Sequence, residues 1–351
     1  MTRARNDLLR AARFERPALI PMRYSINASC WHHYPQSALL DLQEAHPLLF
    51  PGFQRPREPV APRLEPWQRA GRPYRDGWGC VWQTTDDGIT GAVTGHPLAG
   101  WDGWQEYRAP DPSADFGWGP IDWAAEEAAL GGAGAAGQLV SGGLRHGHTF
   151  MTLADIRGYT NLLCDMADDE PRLGRLIAIV EEFNLAIVAR YLGLGVEWMS
   201  YPEDLGMQHG PMLSPAQFRR YIAPSYQRLM DPARAAGCVI HMHSDGDIRA
   251  LAADLLTDGV QVLNLQDLVN GLDWIADTLA GRVCIDLDVD RQSVTRFGSP
   301  AQIDALLRSE VTRLGRREGG LMMVYGLYPG TPIENAWAVA DAMERYASHF
   351  A

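Results

Sequence analysis

The chain has 351 residues, 46% hydrophobic and 21% charged, which is enough apolar material for a sizeable core and carries no signature of disorder. Its 43 acidic against 31 basic residues give a net charge of −12, which repels phosphate backbones and anionic lipid headgroups and argues against nucleic acid or membrane partners. No apolar run reaches the ~20 residues of a membrane span. The first residues hold no signal-peptide core, and Cys30, Cys80, Cys164, Cys238 and Cys284 form no C-x-x-C pair, so a cytoplasmic protein with reduced thiols is expected.

The first candidate strand is ALIPM (18–22). The segment from about 30 to 120 then turns irregular, rich in Pro and Gly and holding most of the tryptophans. Within it, GCVWQTTDDGITGAV predicts a hairpin turning at Asp86-Asp87-Gly88. The Gly/Ala stretch at 131–137 reads as a helix end. From there apolar runs alternate with helical patterns: QLVSG (138–142), VEWMS (196–200), CVIHM (238–242), VQVLN (260–264), VCIDL (283–287) and LMMVY (321–325). Runs without alternation suit strands covered on both faces. The long patterns around residues 172–193 and 215–237 predict helices, with Ser214-Pro215 and Thr331-Pro332 as start signals and Gly195 and Gly237 as stops.

Alternating strands and helices imply a parallel α/β sheet. The expected fold is a (β/α)8 TIM barrel, one domain over residues 1–351, with the tryptophan-rich hairpin as an N-terminal insertion at the barrel mouth. Seven strands are visible and the eighth is expected in the irregular N-terminal third. A doubly wound sheet is the other option, disfavoured because no G-x-G-x-x-G follows an early strand.

In such barrels, catalytic groups sit at the C-terminal ends of strands. CVIHMHSDGDI places His241 and His243 two apart, on one strand face, with Asp245 beyond and Gly246 permitting a tight turn. Imidazoles with a carboxylate suit a divalent metal, and equally suit acid–base work without one. After VEWMS come Glu203 and Asp204, able to complete a metal shell or act as acid and base. Glu197, inside that strand, needs a partner. Asn264, Gln266, Asp286, Asp288, Tyr325 and Tyr328 follow other runs, and Arg23, Tyr24 and Asn27 follow the first. Together they predict a polar ring around one mouth, with Trp78 and Trp82 flanking an organic ligand. The chain has no P-loop, H-E-x-x-H or G-x-S-x-G motif, which leaves kinase, zincin and serine hydrolase readings without support.

HSDGDI followed by LLTDGVQVLNLQ, the block EDLGMQHGPMLSPAQFRRYIAPSYQRL and the ending GLYPGTPIENAWA together resemble the uroporphyrinogen decarboxylase superfamily, over roughly residues 70–348. The resemblance implies a (β/α)-barrel and one of two chemistries: cofactor-free decarboxylation of a tetrapyrrole, or zinc-assisted methyl transfer involving corrinoid proteins. Of the decarboxylases' arginine-rich N-terminal signature only Met22-Arg23 survives. Against the methyltransferases' zinc motif, His243 matches the histidine, Asp245 stands where a cysteine would be, and Tyr325 falls near the distant cysteine.

The resemblance leads to an expected metal-assisted methyl- or demethyl-transferase acting on a small organic substrate, with a corrinoid-carrying partner protein and a homodimer as candidate assemblies. The expected metal shell, zinc by preference, is His241, His243, Asp245 and Glu203. His243, Asp245, Glu203, Asp204 and Tyr325 are the expected catalytic residues. Arg23, Tyr24, Asn27, Trp78, Trp82, Asn264, Gln266 and Asp286 are the expected substrate contacts. The alternatives are a metal-free decarboxylase, with His243 as proton donor, and a non-catalytic ligand-binding barrel.

Overall fold

A computed structural model describes residues 2–351, and the chain divides into two compact units. The first takes the residues up to Arg5, Tyr74–Trp82 and Val93–Leu265; the second takes Asn6–Pro73, Gln83–Ala92 and Gln266–Ala351. Among the described residues ten strands form: β1 (Met22–Ile26), β2 (Tyr74–Arg75), β3 (Val81–Gln83), β4 (Ala92–Gly95), β5 (Ser141–Gly143), β6 (Trp198–Asp204), β7 (Val239–Asp245), β8 (Val262–Gln266), β9 (Cys284–Asp288) and β10 (Leu321–Leu327).

In the first unit β5, β6, β7 and β8 pair in parallel in that order. The register sets Ser200 opposite His241, Asp204 opposite Asp245, and His243 opposite Asn264. The helix Leu173–Gly193 buries Leu176, Val180, Phe183 and Ile187, at the three-to-four-residue spacing that makes one apolar stripe. Ser214 caps the next helical stretch through a reciprocal box with Gln217, and Pro215 occupies the first turn. That stretch opens into a π turn at Phe218–Ile222, just before Pro224, whose missing N–H removes a ladder donor, and continues as Ala223–Ala235. Gly195 and Gly237 take positive φ where the preceding helices stop. Glu197 finds its partner in Arg5, whose Nε donates to it at 2.9 Å.

In the second unit β9, β10 and β1 pair in parallel, with Tyr24 opposite Tyr325. Ser299 caps the helix Pro300–Leu314 with the same kind of box, to Gln302. The last helix, Ile333–Ala347, has Pro332 as its cap, one position later than Thr331-Pro332 suggests.

The tryptophan-rich segment forms a small sheet of order β2-β3-β4, and Gly88 takes a φ of +90° in the loop between β3 and β4. Seven parallel strands form among the described residues where a (β/α)8 barrel has eight. Residues 30–120 contribute β2 to β4 and short helices, but no further parallel strand. Their prolines, which withhold ladder donors, account for this. All five cysteines are free thiols. No helix among the described residues is long and apolar enough to cross a membrane.

Candidate active site

The site grows out of strand parity in the first unit. Along β6, side chains alternate between faces, so Ser200, Pro202 and Asp204 share one face and Met199, Tyr201 and Glu203 the other. Along β7, His241, His243 and Asp245 share a face. The parallel register brings the Asp204 end of β6 beside the His243–Asp245 end of β7. There the Nε2 of His243 lies 3.4 Å from Asp204 Oδ1 and 3.7 Å from Asp245 Oδ1. The Asp245 N–H donates to Asp204 Oδ1 at 3.1 Å.

A third element completes the group. After β5 the chain runs Leu144-Arg145-His146-Gly147-His148-Thr149 and enters the helix Phe150–Arg157. This segment continues the pairing along β6: the Leu144 N–H donates to Ser200 O at 3.0 Å and the Gly147 N–H to Pro202 O at 2.9 Å. His146 is thereby set with its Nε2 3.3 Å from Asp204 Oδ1. The rings of His146 and His243 are 5.5 Å apart. One ligand atom from each of His146, Asp204 and His243 lies within 4.8 Å of the others.

The electrostatics follow from burial against charge. Burial opposes the Asp204 anion, but hydrogen bonds and charge from His146 and His243 outweigh it and hold its carboxyl well below the usual range. Burial also opposes the charged form of His243, yet Asp204 and Asp245 raise it to about 9. The Asn264 Oδ1 contacts His243 Nδ1, which assigns the Nδ1 proton to that contact and turns Nε2 toward the carboxylates. His148 is fully buried, its Nδ1 2.6 Å from Thr149 Oγ1, and burial pushes it down to about 3, so it stays neutral.

Two expected ligands lie elsewhere. Glu203 is on the opposite face of β6 from Asp204 and is fully buried. It accepts the backbone N–H groups of Thr149, Phe150 and Met151 at 3.0, 2.8 and 3.2 Å, and the Tyr226 hydroxyl at 3.0 Å. Burial pushes it up to about 7 against those donors. His241 shares the face of His243 but sits two residues deeper, about 6.5 Å along the strand. Its Nδ1 is 3.1 Å from Ser200 Oγ and its ring lies near Trp198. Asp247 braces the loop, accepting from the Gly210 N–H and pairing with Arg249 at 2.7 Å.

Trp78 and Trp82 are buried in the first unit. Trp78 meets Phe183 edge-on, and the Trp82 indole N–H donates to Asp76, which faces Arg145 at 3.6 Å, next to His146. In the second unit, Arg23 lies 3.4 Å from Asp286. Tyr24 is buried, donates to Ala336 O, and packs on the fully buried Tyr325 at 5.1 Å. Asn27 makes a turn by accepting the Ser29 N–H, and Gln266 precedes the short helix Asp267–Asn270. Asp288 pairs with Arg291 at 2.5 Å.

His146 is the residue that reading the sequence missed. The signal was present: R-H-G-H-T follows an apolar run and precedes a helix, as the polar residues after β6 and β7 do.

Parallel strands joined through helices, with imidazoles and a carboxylate at their C-terminal ends, define an α/β enzyme-like architecture. The family model described as Uroporphyrinogen decarboxylase (URO-D) matches residues 145–346. The chain belongs to the uroporphyrinogen decarboxylase family. Uroporphyrinogen decarboxylases of two Thermus thermophilus strains are 31% and 30% identical over 144 residues, 39% of this chain and 39% of each relative. The chain thus spans about two fifths of the length of the curated relatives it matches. In fold it is similar to a methyltransferase from Methanosarcina mazei, at a TM-score of 0.67 and 16% identity over 98% of both chains.

Proposed function

We propose that this protein is a metal-assisted methyl- or demethyl-transferase of the uroporphyrinogen decarboxylase superfamily, acting on a small organic substrate. One observation carries the reading: His146, Asp204 and His243 converge from three chain segments onto one point. The spacing fits a metal. The edge of a zinc tetrahedron with bonds of 2.0–2.1 Å is roughly 3.3 Å, and the two imidazole nitrogens lie 3.3 and 3.4 Å from the Asp204 oxygen. Two imidazoles and a carboxylate suit zinc and also harder divalent ions. Asp245, 3.7 Å from His243 Nε2, and Asn264, in contact with Nδ1, are the groups that would orient the His243 imidazole. Once bound, a divalent cation acts as a Lewis acid toward a substrate oxygen or sulfur. A corrinoid-carrying protein is the proposed methyl carrier.

The second reading is a metal-free decarboxylase. His243 raised to about 9 is protonated at neutral pH, and Asp204 holds it as a proton donor. The kinship with the Thermus decarboxylases supports this reading. Elemental analysis of the purified protein, before and after strong chelator, separates the two. Stoichiometric metal lost in parallel with activity supports the transferase. Full activity without metal leaves the decarboxylase.

A further inference from the structure

We propose that Glu203 is the positioning residue for His146, clamping the segment that carries this imidazole onto strand β6 so that it meets Asp204. The proposal rests on the reading of His146, Asp204 and His243 as a metal site.

The geometry is local. The first N–H groups of a helix have no partner inside it. In the helix Phe150–Arg157 three successive donors, those of Thr149, Phe150 and Met151, all turn to the Glu203 carboxylate. The helix dipole and the charge-assisted bonds favour an anion there. The Tyr226 hydroxyl supplies a fourth donor, and an ionised carboxylate accepts all four at its two oxygens. Glu203 therefore fixes the chain three residues after His146, while Gly147 and Leu144 fix it on either side through Pro202 and Ser200. These anchors fix the backbone of His146 beside β6, so only a side-chain rotation separates its imidazole from Asp204. Strand parity does the rest. Glu203 and Asp204 are adjacent, so one holds the backbone of the segment from behind while the other faces its imidazole.

Glutamine has the same shape but replaces one oxygen by an NH2 donor, which then faces either the Met151 N–H or the three donors gathered on Oε2. The test is a double-mutant cycle on the full chain stripped of metal, titrated with Co(II), whose d–d bands report its ligands. Glu203→Gln should weaken Co(II) binding about 10–100-fold, the usual scale for an outer partner of a ligand. Its spectrum should move to that of His146→Ala. In the His146→Ala background, E203Q should change the residual affinity less than about twofold, because its route to the metal is already gone. Wild-type affinity and spectrum in E203Q would overturn the proposal. So would an equal loss in both backgrounds, which is what general structural damage gives. If E203Q does not fold, Tyr226→Phe removes a single donor from the same carboxylate, and should shift affinity in the same direction only when His146 is present. A wild-type protein that takes up no Co(II) would overturn the metal site itself and this proposal with it. Binding by the wild type together with an unaffected E203Q overturns the positioning role alone.

Discussion

His146 and His243 close on the same oxygen: their Nε2 atoms lie 3.3 and 3.4 Å from Oδ1 of Asp204. The two imidazoles come from segments nearly a hundred residues apart in sequence, and β6 carries the carboxylate between them. If this is a metal centre, the two histidines are equivalent ligands. His146→Ala should then lose zinc as completely as His243→Ala, by more than the roughly 10–100-fold expected for an outer partner. His241→Ala should keep it, since His241 is held one layer deeper by Ser200. Zinc titration of the three variants checks this, and a His146→Ala protein with wild-type affinity would remove His146 from the shell.

Asn264 is a second, subtler test. It sits opposite His243 in the β7–β8 register and its Oδ1 contacts His243 Nδ1. This contact sets which nitrogen faces Asp204. Asn264→Leu keeps the volume but removes the acceptor, so metal affinity should fall about 10–100-fold with the fold intact. Circular dichroism and metal titration together read this out; unchanged affinity would mean that Asp204 alone orients the ring.

How much of this was legible follows from the residues themselves. The parallel strands announced themselves because β6 to β10 are continuous apolar runs, and polar residues at their ends marked His243, Asp204 and Asp245. The choice between Glu203 and Asp204 was not legible. Adjacent strand residues face opposite sides, and which one reaches the His243 face depends on the register that β6 adopts against β7. His146 escaped because β5 is only Ser141–Gly143, too short and glycine-rich to point to its own end. Tyr325 looked polar in sequence, but the structure buries it against Tyr24.

The ends of β6 and β7 are held by two glycines packed backbone to backbone. A Cβ on Gly206 would lie 2.4 Å from the Gly246 carbonyl carbon, and one on Gly246 would lie 2.2 Å from that of Gly206. Gly246 also has a φ of +79°. Left-handed backbone and overpacking each cost about 1–3 kcal/mol for a side chain. Gly246→Ala should therefore destabilise by roughly 2–4 kcal/mol and weaken metal binding, because Asp204 and Asp245 flank this contact. Denaturant titration gives the first and Co(II) affinity the second. A loss below 1 kcal/mol would show that the loop relaxes freely.

The metal-free protein should lose stability as pH rises from about 7.5 to 9, and His243 should carry part of the loss. Its carboxylate neighbours raise it to about 9, against about 6.5 in an unfolded chain. Between those values the folded chain keeps a proton that the unfolded chain has released, so unfolding releases a proton and is favoured as pH rises. The contribution of His243 is fully present below about pH 6.5 and gone above about 9, with a slope of at most ~1.4 kcal/mol per pH unit. Burial raises Glu203 to about 7 and Asp155 to about 6, so they act with the same sign at lower pH. Burial also raises the thiols of Cys30, Cys80, Cys238 and Cys284, which act with the same sign as pH passes the unfolded thiol value of about 8.5, so the share of His243 is the difference in slope between wild type and a His243 variant. Guanidinium titrations in chelator at pH 7.5, 8.2 and 9 should show the decline in wild type and a shallower one in His243→Gln, the difference being largest between pH 7.5 and 8.2, before the thiols titrate. A metal ion binds the neutral imidazole, so its affinity should rise over the same window, up to tenfold per pH unit for one proton displaced. Wild type and His243→Gln with the same slope would mean that His243 does not hold this proton, and the ion pair with Asp204 would then not be the source of its charge.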